Sequence, residues 1–218
     1  MARLTIGLRR SMTTMVIATL RVTTVFDDLA IPYFIGGSMA GIFYGEYRLT
    51  QDTDIVADIQ EDHISRLVDR LSADFYIQAH EILAALESRA IPDLPADFRP
   101  CFNLIHWETG FKIDVFLATH RPFEVAEFQR RIRAILQTDP EQTAYIASAE
   151  DIILAKLEWH QLGGSLAPQQ WRDVVSIMVI HGQQLDHAYL SAWATRLGLR
   201  DLVDAARAAG QAITDESR

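Results

Sequence analysis

Two short apolar runs, each bordered by distinctive residues, constrain the fold of this chain most strongly. Residues 31–35 (IPYFI) end in Gly36-Gly37-Ser38, and residues 55–57 (IVA) directly follow Asp52-Thr53-Asp54. Short apolar runs that are bounded by turn residues are typical of buried strands. The sequence therefore predicts two strands, one that ends in a glycine turn and one that begins with two carboxylates.

The glycine turn has two readings. Gly36 and Gly37 permit backbone angles that other residues avoid, and they let a ligand approach the main chain closely. Ser38 begins the helix predicted for residues 38–45, whose free N–H groups would favour a phosphate. An ordinary strand-to-helix turn with a serine cap explains the same residues, so the turn alone does not decide between the two.

Three carboxylates are candidate metal ligands. Asp52 and Asp54 lie two residues apart, so they share one face of the predicted strand. Asp114 interrupts the apolar strand predicted for residues 111–117, where a buried charge is costly unless it is paired or metal-bound. A divalent cation would relieve the repulsion between such acids. The alternatives are a solvated strand end for the pair, and a salt bridge to Lys112 or an arginine for Asp114.

The spacing of apolar residues predicts an α+β fold in two parts. Residues 1–147 form an α/β domain and residues 148–218 a C-terminal helical region. Strands are predicted at 31–35, 53–59, 75–77, 102–107, 111–117, 131–136 and 143–147. Helices are predicted at 12–29, 38–45, 61–71, 79–89, 121–130, 148–161, 168–181, 186–197 and 199–209.

Composition excludes several classes of protein. A net charge of −9 argues against non-specific coating of nucleic acid, although Arg130, Arg131 and Arg133 could line a local basic groove. The single cysteine, Cys101, excludes a disulfide within the chain, and we expect it to be a small core residue. No apolar stretch reaches the roughly 18 residues of a membrane span. The expected location is the cytoplasm, without a membrane partner.

The order of these features resembles the nucleotidyltransferase superfold of DNA polymerase beta and its minimal relatives. That order is an apolar strand, a Gly-Gly-Ser turn, a helix, an Asp-x-Asp strand and a later strand with one aspartate. The resemblance implies a mixed sheet flanked by helices, with Mg²⁺ or Mn²⁺ as cofactor. It also implies that Gly36, Gly37 and Ser38 form the phosphate turn. In the same comparison Asp52 and Asp54 are paired metal ligands, and Asp114 is the third acid, which helps to activate the attacking hydroxyl.

A narrower resemblance involves residues 48–54 (RLTQDTD). They look like the Arg-x-Thr-x-Asp-x-Asp stretch of abortive-infection-type (AbiEii-like) nucleotidyltransferases, which are toxins of toxin–antitoxin pairs. Arg48 would then contact phosphate or lie at the surface. Lys156 falls between Ile152 and Ile153 on a helical wheel, so its ammonium either extends to solvent or faces an anion such as a triphosphate.

These features together predict a metal-dependent enzyme. It would transfer a nucleoside monophosphate from an NTP to a hydroxyl acceptor and release pyrophosphate. The acceptor would be an RNA end such as that of tRNA, a protein or a small molecule, and a cognate antitoxin or toxin would be a partner. Two alternatives remain at this point: a regulatory protein that binds nucleotide or a partner without turnover, and an antibiotic-modifying nucleotidyltransferase.

Overall fold

The computed structural model describes residues 2–45, 50, 52–92, 98–163 and 168–216, and for residues 2–12 it describes the backbone alone. The chain forms two compact units. We call Met1–Gly36 with Leu49–Ile146 the sheet unit, and Gly37–Arg48 with Ala147–Arg218 the helical unit. The domain division at residue 147 stays a prediction.

The elements of the described residues follow one another in a regular order. They are α1 (Ala2–Asp28), β1 (Tyr33–Ile35), α2 (Gly37–Phe43), β2 (Asp52–Ala57), a 3₁₀ turn (Glu61–His63), α3 (Ile64–Leu71), β3 (Phe75–Tyr76), α4 (Ala79–Arg89), β4 (Cys101–His106), β5 (Lys112–Leu117), α5 (Pro122–Arg130), β6 (Ile132–Thr138), β7 (Glu141–Ile146), α6 (Ala149–Gly163), α7 (Pro168–His181), α8 (His187–Leu197) and α9 (Arg200–Glu216).

The strands of the sheet unit form one mixed sheet in the order β3-β4-β5-β2-β1-β7-β6. Pairs β2–β5 and β1–β7 are parallel, and the remaining neighbours are antiparallel. The predicted α+β class, with a mixed sheet flanked by helices, is confirmed. Because β2 lies between β1 and β5, the Asp-x-Asp segment is at the centre of the sheet.

The two faces of β2 have different surroundings. Thr53, Ile55 and Ala57 are fully buried, whereas Asp52, Asp54 and Val56 between them are half-buried. Alternate residues of a strand point to opposite faces, so the acids share the more open face. On the closed face the Thr53 hydroxyl lies 3.1 Å from that of Thr19 in α1. Helix α1 therefore packs on the side of the sheet opposite the carboxylates.

Two expectations are wrong. Helix α1 begins at Ala2 instead of residue 12, because the arginines and threonines near the N-terminus blur the apolar stripe on which that boundary was based. Cys101 is exposed, not in the core. It alternates along β4 with the buried Phe102, so it lies on the open face of the sheet.

The helical unit holds unusual charges in its core. The buried polar side chains of α6 and α7 include Glu150, Asp151, Lys156 and Asp173. Asp151 accepts hydrogen bonds from the hydroxyls of Ser148, at 2.7 Å, and Tyr189, at 2.6 Å. Buried carboxylates need such partners. In the described ranges, none of the helices combines the length and apolar character that crossing a membrane requires.

Candidate active site

The register of two parallel strands brings the predicted acids together in the sheet. Asp54 of β2 pairs with Asp114 of β5, and Asp52 pairs with Lys112. Residues in register on neighbouring strands present their side chains to the same face. The side chains of Asp52, Asp54, Lys112 and Asp114 therefore share one face, which we call the carboxylate face.

Asp114 is the most buried acid of this face, with 9% of its surface exposed. Its Oδ2 lies 2.8 Å from the Lys112 ammonium. Its Oδ1 is buried and has no hydrogen-bond partner among the described residues. A buried carboxylate oxygen that lacks a donor is costly. One oxygen of Asp114 is thus satisfied by the chain, and the other is a place for a donor or a cation.

The other two acids are held by local contacts. The Thr50 hydroxyl lies 3.0 Å from Asp52 Oδ1 and also 3.0 Å from the Asp52 carbonyl oxygen, so it orients this residue. The Gly36 N–H donates to the carbonyl oxygen of Asp54 at 2.9 Å. The first glycine of the turn is therefore fixed to the backbone of the second acid.

Lys112 is electrostatically coupled to the whole face. Its hydrogen bond to Asp114 is the largest influence that raises the pKa of its ammonium, and the charges of Asp114, Asp52 and Asp54 raise it further. A raised lysine pKa means that the side chain stays charged at neutral pH. The carboxylate face therefore contains three acids and one permanent cation.

The donor chemistry of this face fits a hard divalent cation. Mg²⁺ and Mn²⁺ prefer carboxylate oxygens, and Asp114 Oδ1 offers one that nothing else in the described chain uses. Within the described residues, however, no group of three or more His, Cys, Asp or Glu side chains is arranged to hold a metal ion. The acids share a face without forming a finished cage, and their role as metal ligands stays a prediction.

The glycine turn shows one conformation that depends on glycine. Gly37, the first residue of α2, has φ +52°, which L-residues rarely adopt. Ser38 follows it and is half-buried. The role of Gly36, Gly37 and Ser38 in binding phosphate stays a prediction.

We expect Gly37→Ala to lower the free energy of unfolding by about 1 kcal/mol, because a Cβ is disfavoured at positive φ. Gly36→Ala is the matched control. Its φ is not positive, and an added Cβ would meet only Phe34 Cε2, at 4.0 Å. It should be neutral or stabilise by about 0.5 kcal/mol. Urea unfolding of the two variants checks this. Equal effects would show that the backbone angle is not the cause.

Lys156 lies in the helical unit and is engaged there. Its side chain is 4% exposed, and its Nζ lies 2.6 Å from Asp173 Oδ2 and 3.4 Å from Gln170 Oε1. The ammonium does not extend to solvent, and it faces an anion of its own chain. Its predicted contact with a triphosphate stays a prediction. Arg48 lies outside the described residues.

Sequence reasoning did not place two residues in the site. Thr50 and Lys112 each stand two positions before an acid, Asp52 and Asp114 respectively. On an extended chain this spacing puts both residues on the side of the acid that follows. Lys112 was considered only as an alternative explanation for Asp114. The period of two was the signal that could have identified both.

Comparisons with known proteins give one result. No family model and no curated protein matches the chain. The crystal structure of an antigenic nucleotidyltransferase-like protein from Paracoccidioides brasiliensis is 18% identical, with a TM-score of 0.49, over 91% of this chain and 92% of that one. The solution structure of the antibiotic-resistance factor ANT(2'')-Ia is 14% identical, with a TM-score of 0.51, over 94% and 95%. The fold is of the nucleotidyltransferase type. At such low identity the likeness extends to the fold alone.

Proposed function

We propose that this protein is a nucleotidyltransferase, which moves a nucleoside monophosphate from an NTP to an acceptor hydroxyl and releases pyrophosphate. The observation that carries the proposal is the register of Asp54 with Asp114 on adjacent parallel strands, with Asp52 on the same face. Such acids in a sheet centre are expensive unless they bind a cation. The nucleotidyltransferase-type fold supports the same reaction class.

In this proposal Asp52, Asp54 and Asp114 would hold Mg²⁺ or Mn²⁺, which when bound would neutralise charge on the triphosphate. Asp114 would also accept the proton of the attacking hydroxyl, or orient that hydroxyl. Gly36, Gly37 and Ser38 would bind the β- and γ-phosphates through backbone N–H groups and the serine hydroxyl. Arg48 and Lys156 would add positive charge. Catalysis of this kind consists mostly of positioning and charge stabilisation.

We further propose that the enzyme is AbiEii-like and acts in a toxin–antitoxin pair. The Arg-x-Thr-x-Asp-x-Asp stretch supports this, because its threonine has a structural reason: the Thr50 hydroxyl orients Asp52. The acceptor would then be an RNA end such as that of tRNA, or a protein hydroxyl. An antibiotic-modifying enzyme would use the same acids, so the acceptor decides between the two.

A regulatory protein without turnover is the second candidate. The ion pair between Lys112 and Asp114, and the lack of a finished metal cage in the described residues, favour it. Such a protein would bind a nucleotide or a partner, and its acids would be structural. Replacing Asp52 would then leave its function unchanged.

Labelled NTPs distinguish these candidates. The protein is incubated with Mg²⁺ and each α-³²P-labelled NTP, with total tRNA, the protein itself or aminoglycosides as acceptors. We expect label to move to one acceptor class, which also identifies the substrate. Binding of an NTP without any transfer would favour the regulatory protein. If no NTP binds in the presence of Mg²⁺, the proposed site is wrong.

A further inference from the structure

The use of lysine in this chain is unusually sparse. Of the 20 basic residues only two are lysines, Lys112 and Lys156, and the others are arginines. Both lysines form close ion pairs with an aspartate. Lys156 is paired in the core of the helical unit, whereas Lys112 reaches the carboxylate face with 43% of its side chain exposed. A partly exposed ammonium at this position is available for exchange in a way that a buried one is not.

The charges of the carboxylate face do not balance without a further cation. Asp52, Asp54 and Asp114 carry three negative charges when ionised, and Lys112 supplies one positive charge in register with Asp52. Like charges on neighbouring strands destabilise a sheet unless they are screened or compensated. The ammonium therefore compensates part of the repulsion and leaves the face negative.

We propose that Lys112 is an internal counter-ion of the carboxylate face, which competes with a divalent metal for Asp114 and so sets the metal affinity of the site. This inference rests on the proposed function. Lys112 binds one oxygen of Asp114, while the other oxygen has no hydrogen-bond partner in the described chain. A metal that takes Asp114 must share this carboxylate with the ammonium or displace it. Either way the positive charge of Lys112 opposes the arriving cation.

The chemistry of lysine suits this task better than that of arginine. An ammonium is a compact point charge on a flexible stem, so one contact holds it and one contact releases it. A guanidinium would grip a carboxylate through two parallel hydrogen bonds and would leave less readily. Lys112 is thus a positioning residue for the proposed reaction, and it is not itself a metal ligand.

Metal binding in the absence of nucleotide tests the inference. Mn²⁺ is titrated into the whole protein, and free Mn²⁺ is followed by electron paramagnetic resonance. Removing one positive charge close to a divalent ion should lower the Kd for Mn²⁺ about tenfold in Lys112→Met. Lys112→Gln, which removes the charge and keeps a donor for Asp114, should give the same change. Lys112→Arg should bind Mn²⁺ no more tightly than the wild type.

The matched control is Arg66→Met, which removes one positive charge from an exposed position of the sheet unit. Its Kd should equal that of the wild type, because the inference concerns the position of the charge and not the net charge. Thermal unfolding provides a second readout. Without metal, Lys112→Met should melt below the wild type, since three acids lose their counter-ion. Mn²⁺ should then raise its Tm more than that of the wild type.

The outcomes separate this inference from the proposed function. Tighter binding in Lys112→Met and Lys112→Gln, but not in Arg66→Met, would support it. If the wild type binds Mn²⁺ and both Lys112 variants bind it equally or more weakly, the counter-ion role is wrong and the metal site stands. If neither the wild type nor the variants bind Mn²⁺, both proposals fail.

Discussion

Replacing Asp52 by asparagine should reduce nucleotidyl transfer by about a thousandfold or more, while the protein stays folded. The exchange keeps the size of the side chain and still allows a contact with the Thr50 hydroxyl, which lies 3.0 Å from Asp52 Oδ1. It removes a negative charge that the proposal assigns to the metal and triphosphate. Because Asp52 is half-buried at the start of β2, the free energy of unfolding should change little.

Initial rates with the acceptor found by labelling measure this effect, and circular dichroism checks the fold. The matched control is Asp69→Asn, which removes one negative charge from an exposed position of α3. It should retain the wild-type rate. A half-active Asp52→Asn protein would contradict the metal-ligand role. An inactive Asp69→Asn protein would show that net charge, and not the site, governs the rate.

The centre of the sheet could be predicted from sequence because its signals are local. The Asp-x-Asp segment has a period of two, and the apolar residues between and after the acids indicate one buried face. The hairpin of β4 and β5 follows from two apolar runs around Gly110, which has φ +67° in the turn. These features depend on neighbours in the chain, so one sequence is enough to show them.

The pairing of distant residues could not be predicted in the same way. Whether Asp114 faces Asp54 depends on the register of two strands that are far apart in sequence, and the structure decides it. The partner of Lys112 was open for the same reason, since a metal and an ion pair both explain an acid in an apolar strand. The exposure of Cys101 depends on which face of the sheet the helices cover. Sequence periodicity gives two faces and does not say which one is open.

Lys156 and Asp173 form the contact with the largest expected effect on stability. Both side chains are 4% exposed, and the ammonium and Oδ2 are 2.6 Å apart. Lys156→Met would leave the Asp173 carboxylate buried without its cation. Loss of one partner of a buried pair typically costs about 3–5 kcal/mol, so the variant should unfold at a much lower urea concentration. The control Arg172→Met, at an exposed neighbour of Asp173 on α7, should change stability by less than about 0.5 kcal/mol.

The double variant Lys156→Met/Asp173→Leu separates stability from function. Replacing both charges by apolar side chains of similar size is often neutral or stabilising, so most of the lost stability should return. If Lys156 also contacts the triphosphate, the refolded double variant should bind NTP more weakly than the wild type, which equilibrium binding of labelled NTP measures. Wild-type affinity in a stable double variant would make Lys156 purely structural. If the double variant is as unstable as Lys156→Met, the unpaired Asp173 charge is not the cause of the loss.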